Sequence, residues 1–287
     1  MQKTILVVGG TGMLGQPVSH RLQEDGFRVR IMTRDGQKAK KLFDDSFEIV
    51  VGNPVETNSL KDALDGCHGV HISLPTEVEQ QATEMIAKVA SKTAIERISY
   101  VSGVTVTEEN RWFFLVDRKF LAEKAIRDSG ISYTIFCPSW FMEVLPKFVT
   151  QGRASVFGKQ PQAYHWIAAD DFARMVSTAY SSEEAANRRF FIYGPELITM
   201  DEALRRYCSV FHSDIKKISI MPFWLVKVLS FITRNRELGF AGRLMSYFEK
   251  VSEIGDPEEA NHILGAPTTT LNEWIEKRKA RLGVVTS

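Results

Sequence analysis

Cysteine is scarce in this chain. Cys67, Cys137 and Cys208 are the whole supply, and no two of them form a CxxC pair. An odd number of thiols at such spacings suits no disulfide framework. Reduced, buried thiols in a cytoplasmic protein are the expectation. An excess of charge is missing too: 36 Lys and Arg stand against 35 Asp and Glu. No bulk field points to nucleic acid or to an acidic partner, so neither is expected. The histidines, His20, His68, His71, His165, His212 and His262, fall in no metal-ligand spacing, and no metal site is expected. Long apolar runs are absent. The stretch that calls for a check, Ile218 to Thr233, is shorter than the ~20 residues a spanning helix needs, and Pro222 and Lys227 interrupt it. It reads as a helix packed in a C-terminal lobe, with an interfacial or partner-facing helix as the alternative. Membrane contact is therefore not expected. The first residues enter a strand pattern directly, without a secretory n-region or h-region, so no secretory route is expected. No internal repeat or low-complexity linker interrupts the chain.

What is present is an ordinary globular composition, 44% hydrophobic and 25% charged over 287 residues. That length allows one large α/β domain or a Rossmann core with a smaller lobe. Strand and helix patterns alternate through the first half. Strands are expected at Thr4–Val8, Val29–Met32, Glu48–Val51, Val70–Leu74, Ile98–Ser102 and Tyr133–Cys137, the last stopped by Pro138. Helices are expected to about Gln23, over Lys38–Phe43, from a Ser59/Asp62 capping box toward Leu64, over Glu77–Ser91 and over Trp112–Arg127. Such alternation means βαβ units and a parallel sheet, with ligands beyond the carboxyl ends of the strands. After Phe141 the pattern changes. A helix from Asp170-Asp171, a strand over Phe190–Tyr193 and a second capping box at Thr199/Glu202 follow, and from there the chain reads as helical. The expected architecture is an extended Rossmann, doubly wound parallel sheet over residues 1–198, with substrate-side insertions after about 141. A smaller, mainly helical lobe is expected over 199–287.

Residues 9–15 read GGTGMLG, placing Gly9, Gly12 and Gly15 in GxxGxxG spacing between a buried strand and a helix. Gly9 allows the tight turn, Gly12 lets the backbone approach a pyrophosphate, and Gly15 lets the helix pack close to the sheet. The helix N-terminus then offers N–H groups to the phosphates. The second specificity element lies roughly 20 residues on, where NAD-preferring sites carry an acid. Here Thr33 stands in its place, Arg34 follows, and Lys38, Lys40 and Lys41 add positive charge. A guanidinium takes a phosphate bidentately, which favours NADP(H) over NAD(H). Asp35 weighs slightly against this, as a possible partner for a neighbouring base.

With these motifs the sequence resembles the NmrA-like, atypical branch of the short-chain dehydrogenase/reductase superfamily. The resemblance rests on VVGGTGMLG, Arg34, Val51-Gly52-Asn53 leading to Leu60, Ser129 to Thr134, and Pro138 to Glu143. Asp170-Asp171-Phe172-Ala173 and Gly194-Pro195-Glu196 extend it to about Leu204. It implies an NADP(H) site lined by Gly9, Thr11, Gly12, Met13, Leu14, Arg34, Asn53 and Leu74. Pro138 and Phe141 would border the nicotinamide. Asn53 stands where many relatives carry aspartate.

Typical members of the superfamily pair a tyrosine and a lysine in YxxxK spacing with a serine. Tyr transfers a proton, and Lys lowers its pKa and holds the ribose. Lys119 is the natural lysine and Ser102 occupies the serine position, but Leu115 stands where the tyrosine belongs. Leucine transfers no proton, which argues against alcohol–ketone and sugar-epimerising chemistry. Some branches keep only the lysine, others reduce quinones or dyes without the tyrosine, and regulatory members bind the dinucleotide without turnover. Lys119 has a second reading, a surface contact with Glu123 one helical turn away. Ser102 has one as well, a strand-end hydroxyl satisfied by backbone. Trp112, Phe113, Phe114, Trp140, Phe141, Tyr164 and Trp166 either build core or line an aromatic pocket, and His165 beside Trp166 is a further candidate for that pocket. The expected function is NADPH-dependent reduction of a small aromatic or quinone-like molecule, with Lys119 and Ser102 as catalytic candidates. The alternative is a non-enzymatic NADP(H)-binding sensor or regulator. A protein partner or a homodimer is left open, and a third idea has the helix around Phe223 to Phe231 docking on a membrane or partner.

Overall fold

The computed structural model describes residues 2–283. The chain opens with β1 (Thr4–Val8), α1 (Gly15–Glu24), β2 (Arg28–Thr33), α2 (Gly36–Leu42), β3 (Glu48–Val51) and α3 (Thr57–Leu64). Next come β4 (Gly69–Ile72), α4 (Thr76–Ala90), β5 (Arg97–Val101), α5 (Phe114–Asp128) and β6 (Ser132–Pro138). A 3-10 turn (Met142–Phe148) leads to β7 (Val149–Thr150), β8 (Arg153–Phe157), β9 (Ala163–His165), α6 (Ala169–Ser181), β10 (Arg188–Ile192) and β11 (Leu197–Thr199). The chain ends with α7 (Met200–Phe211), β12 (Ser219–Met221), α8 (Phe223–Ile232), α9 (Arg236–Phe248), α10 (Glu258–Leu264) and α11 (Leu271–Leu282). These elements form two compact units. The first is residues 2–138, Ala169–Ile192 and Gly255–Pro267; the second is Ser139–Ala168, Tyr193–Ile254 and residues 268–283.

The first unit holds a seven-stranded sheet in the order β10-β6-β5-β4-β1-β2-β3, with every pair parallel. This is the doubly wound arrangement expected from the alternation. β1, β4 and β5 are buried along their whole length, as strands covered on both faces must be, although β4 carries His71 and β5 carries Arg97 and Ser99. Leu6, Val8, Val70, Ile72, Ile98 and Ile135 pack with Leu60, Leu64, Ile86 and Ile126 of the helices, while α1 packs against α6. The register pairs Val8 with both Met32 and Ile72, Ile72 with Tyr100, and Tyr100 with Ile135. The carboxyl ends of five strands therefore come level along one edge. Inside the unit, His71 Nδ1 lies 2.7 Å from Ser99 Oγ, which is 2.8 Å from the Tyr180 hydroxyl. Burial pushes the His71 pKa down to about 3, so the imidazole is neutral. All three cysteines are buried, and desolvation lifts Cys67 to about 11 and Cys137 to about 12.

The second unit pairs β8 with β7 and β12, and β9 with β11. Its core gathers Met142, Leu145, Trp166, Leu204, Met245 and Trp274. The Trp166 indole donates to the Ile198 carbonyl at 3.0 Å. Thr199 caps α7 by accepting from Glu202 N–H, but this is half of the expected box: the Glu202 carboxylate pairs with Arg206.

Three other expectations need correction. The Ser59/Asp62 box does not form: α3 begins two residues earlier, at Thr57, with Glu56 at its cap position. The region after α7 is not purely helical, because β12 pairs in parallel with β8. Finally, α8 is not enclosed in its lobe. Val226 is its one buried residue, while Trp224, Val228, Phe231 and Ile232 are exposed.

Candidate functional site

The turn after β1 has the geometry that its glycines predicted. Gly9 sits at φ +91, where L side chains are strained, and a Cβ there would stand 2.0 Å from Ser73 O. A Cβ on Gly15 would stand 2.2 Å from Gly9 O, so close packing of α1 demands glycine. Gly12 differs: its added Cβ would meet only Gly9 O, at 3.1 Å, and the residue is exposed. Glycine at position 12 is thus not something packing demands; it leaves clearance above the turn. Leu14, the cap position of α1, makes no side-chain capping bond, so no side chain of the turn competes for the N–H groups that open the helix. An open glycine over an uncapped helix start fits a pyrophosphate.

Several candidate residues meet at this edge of the first unit. Thr11, Gly12, Met13 and Leu14 form the turn itself, and Leu74 follows Ser73, against which Gly9 is pressed. Arg34 lies just past β2, exposed and in no ion pair among the described residues. Asp35 does not pair with a neighbouring base; its side chain accepts from Lys38 N–H at 2.9 Å and caps α2. Lys38 is exposed beside it. Thr33, in the place of the acid, accepts from Asp35 N–H at 3.1 Å. The edge is thus free of carboxylate at the position that would repel a 2′-phosphate. Asn53 is engaged locally: its amide donates to Glu56 at 3.0 Å and its oxygen accepts from Val55 N–H at 3.4 Å.

The two catalytic candidates also come to this edge, but each is committed to a buried acid. Ser102 donates to Glu123, which also binds Arg127 and Arg189. Lys119 does not pair with Glu123. It donates to Glu79 at 2.6 Å and to Val101 O at 3.0 Å, and lies 5.4 Å from the Tyr100 ring centre. Glu79 is only 2% exposed, so Lys119 neutralises a carboxylate that burial would otherwise penalise heavily. Burial, reinforced by the Glu79 charge, pushes the Tyr100 hydroxyl well above its ordinary range. Sequence reasoning missed Glu79, although a signal existed. It falls on the same face of α4 as Ala82, Ile86 and Val89, where a charge needs a partner.

Pro138 ends β6 in the first unit, and its carbonyl accepts from Val104 N–H at 3.2 Å. Phe141 belongs to the second unit, where it bridges Ile167. Tyr164 and Trp166 are fully buried, and Trp140 packs against both with ring centres 5.8 Å apart, so these aromatics build core. Phe113 is buried as well, whereas Trp112 and Phe114 are exposed.

A second acid–base group, legible only in three dimensions, lies in the second unit. Glu253 accepts from Ser139 Oγ, from His165 N–H at 2.8 Å and from the His165 ring at Nδ1, 2.6 Å away. The imidazole stacks on Tyr193 at 4.7 Å with 2° between the rings. With Nδ1 held by a carboxylate and the ring plane fixed by stacking, Nε2 is the atom left to accept or give a proton. Glu253 follows α9 in an irregular segment, and no local pattern marks it.

Among curated proteins, the chain is 25% identical over 227 residues to an NAD(P)H azoreductase of Xenophilus azovorans, covering 75% of this chain and 77% of the relative. It is 24% identical over 247 residues to a photosystem II assembly factor of Trieres chinensis, covering 79% and 75%. Among solved structures, a Citrobacter triphenylmethane reductase complexed with NADP(H) superposes with a TM-score of 0.76. The identity is 20%, over 96% of this chain and 99% of that one. That likeness is one of fold, which the parallel sheet and the strand order already display. The model of the NmrA-like family matches residues 1–275, nearly the whole length, and the chain belongs to that family.

Proposed function

We propose that this protein is an NADPH-dependent reductase of a small aromatic or quinone-like acceptor. The observation that carries this proposal is the turn at Gly9–Gly15, where Gly12 is left open over an uncapped helix start. Gly9, Thr11, Gly12, Met13 and Leu14 would hold the pyrophosphate, and Leu74 would flank it. Arg34, with Lys38 nearby, would hold a 2′-phosphate, and Thr33 in place of an acid favours NADP(H) over NAD(H). Asn53 would approach the adenine only by giving up its contacts with Glu56 and Val55. Pro138 and Phe141 are assigned to the nicotinamide end. When bound, the cofactor supplies a hydride. The azoreductase relative supports this reaction class.

The chain's own residues do the rest. Lys119 and Ser102 shape the edge of the site through Glu79 and Glu123, and neither is free to act as the missing tyrosine would. A reduced quinone carbonyl leaves an oxyanion that takes up one proton. That proton comes from solvent. NADPH consumption in the presence of a naphthoquinone or a triphenylmethane dye tests the proposal, and tight binding without consumption on any acceptor contradicts it.

The commitment of both Lys119 and Ser102 to buried carboxylates favours one second reading, an NADP(H)-binding regulator without turnover. The assembly-factor relative is consistent with it. Cofactor-dependent capture of a partner, without NADPH consumption, distinguishes the two.

A further inference from the structure

The helix α8 presents an apolar stripe that its own unit does not cover. Trp224 is 67% exposed, Phe231 85% and Ile232 70%, and Val228 is exposed between them. Counted from Trp224, these residues stand at i, i+4, i+7 and i+8, so they share one face of the helix. The remaining surface is used: α8 packs against α9 with Val226 close over Gly242 and Ser230 over Gly239. The stripe thus faces away from α9. Ile220, on the strand just before the helix, is exposed as well. Single exposed hydrophobes need no explanation, but an aligned row on one helix does.

Charge around the stripe is mostly positive. Lys227, Arg234 and Arg236 are exposed and in no ion pair among the described residues, and Lys216 and Lys217 precede β12. Asp214 and Glu237 are the acids of this stretch. A second copy of the chain, docked face to face, would bring Lys227, Arg234 and Arg236 against their own images. An anionic lipid surface meets the same cations favourably. It also accepts Trp and Phe at the headgroup boundary, where such rings are enriched. No helix among the described residues is long and apolar enough to cross a membrane, and α8 has 10 residues, which suits lying in the plane of the interface.

We propose that the exposed face of α8 docks this protein reversibly on anionic membrane surfaces, with Trp224, Val228, Phe231 and Ile232 inserted and Lys227, Arg234 and Arg236 on the headgroups. This inference is independent of the reductase proposal. The test is co-sedimentation of the purified chain with phosphatidylcholine vesicles, pure or with about 30 mol % phosphatidylglycerol. The wild-type protein is expected to pellet with the anionic vesicles only, and to be released by about 0.5 M salt. Phe231→Asp should lower partitioning about 30-fold or more, since it removes the largest inserted side chain and adds a charge of the lipid's own sign. Because Phe231 is mostly exposed, the variant should unfold at the wild-type temperature. A wild-type protein that stays in the supernatant with both vesicles overturns the proposal. So does a Phe231→Asp variant that binds as tightly, or a stable dimer in solution that Phe231→Asp dissociates.

Discussion

Replacing Gly12 by alanine separates what the fold needs from what the cofactor needs. The three glycines of the turn are not equivalent. A Cβ at Gly9 or Gly15 runs into backbone, at 2.0 Å from Ser73 O and 2.2 Å from Gly9 O respectively. No flexible side chain can yield there, so either change should cost about 1–3 kcal/mol of stability or more. At Gly12 the new methyl meets one atom at 3.1 Å, which a shift of a few tenths of an ångström relieves. Restricting the unfolded chain returns about 0.4–1 kcal/mol, so Gly12→Ala should change the unfolding free energy by less than about 1 kcal/mol. Binding should behave oppositely. A methyl over the helix start keeps a pyrophosphate from the N–H groups, and losing even one charge-assisted hydrogen bond costs about 1.5–3 kcal/mol. NADPH affinity should therefore fall by at least about 10-fold, and by roughly 100-fold if the loss is nearer the upper figure. Urea unfolding and titration of NADPH fluorescence, run on the same preparations, measure both quantities. A Gly12→Ala protein that is folded and binds NADPH within about twofold of wild type would refute the assignment of this turn to a pyrophosphate.

Other perturbations probe the acid–base groups. Lys119→Met strands the Glu79 carboxylate in the core and should destabilise the protein by about 3–5 kcal/mol; adding Glu79→Gln should recover much of that in urea unfolding, whereas a purely catalytic Lys119 would show neither effect. His71 carries a pH signature. Its folded pKa of about 3 lies below the ordinary 6.5, so protonation favours the unfolded chain, and its stability contribution is intact above pH ~6.5 and lost as pH falls below it. Between pH 7.5 and 5.5 the wild-type protein should lose about 1.4 kcal/mol more than His71→Leu; parallel pH profiles would show that the imidazole is not buried neutral.

Local pattern was enough for the sheet. Continuous apolar runs such as Thr4–Val8 have few alternatives to a strand buried on both faces, and glycines marked the tight turn after β1 to the residue. The Thr199 cap was legible because it depends on residues three apart. Long-range pairing was not. β12 exists only because Ser219–Met221 meets Ser155–Phe157 across more than sixty positions of chain. Lys119 meets Glu79 across 40 residues, so its helical neighbour Glu123 looked like the natural partner until α4 was seen beside α5. The charge on the apolar side of α4 was a readable warning. Nothing comparable announced Glu253, 88 residues from His165. The exposure of α8 escaped because an apolar helix has the same sequence whether its outer face is covered or bare.

The most direct test of the account is a pair of titrations, NADPH and NADH, on the wild-type protein and on Arg34→Ala, followed by an acceptor assay with the tighter cofactor. NADPH should bind wild type saturably at one site and be consumed with a quinone or dye, and Arg34→Ala should weaken NADPH by about 10-fold or more while leaving NADH nearly unchanged. If neither dinucleotide binds wild type saturably, the central claim is contradicted. If Arg34→Ala weakens both equally, the assignment of Arg34 to a 2′-phosphate is contradicted with it.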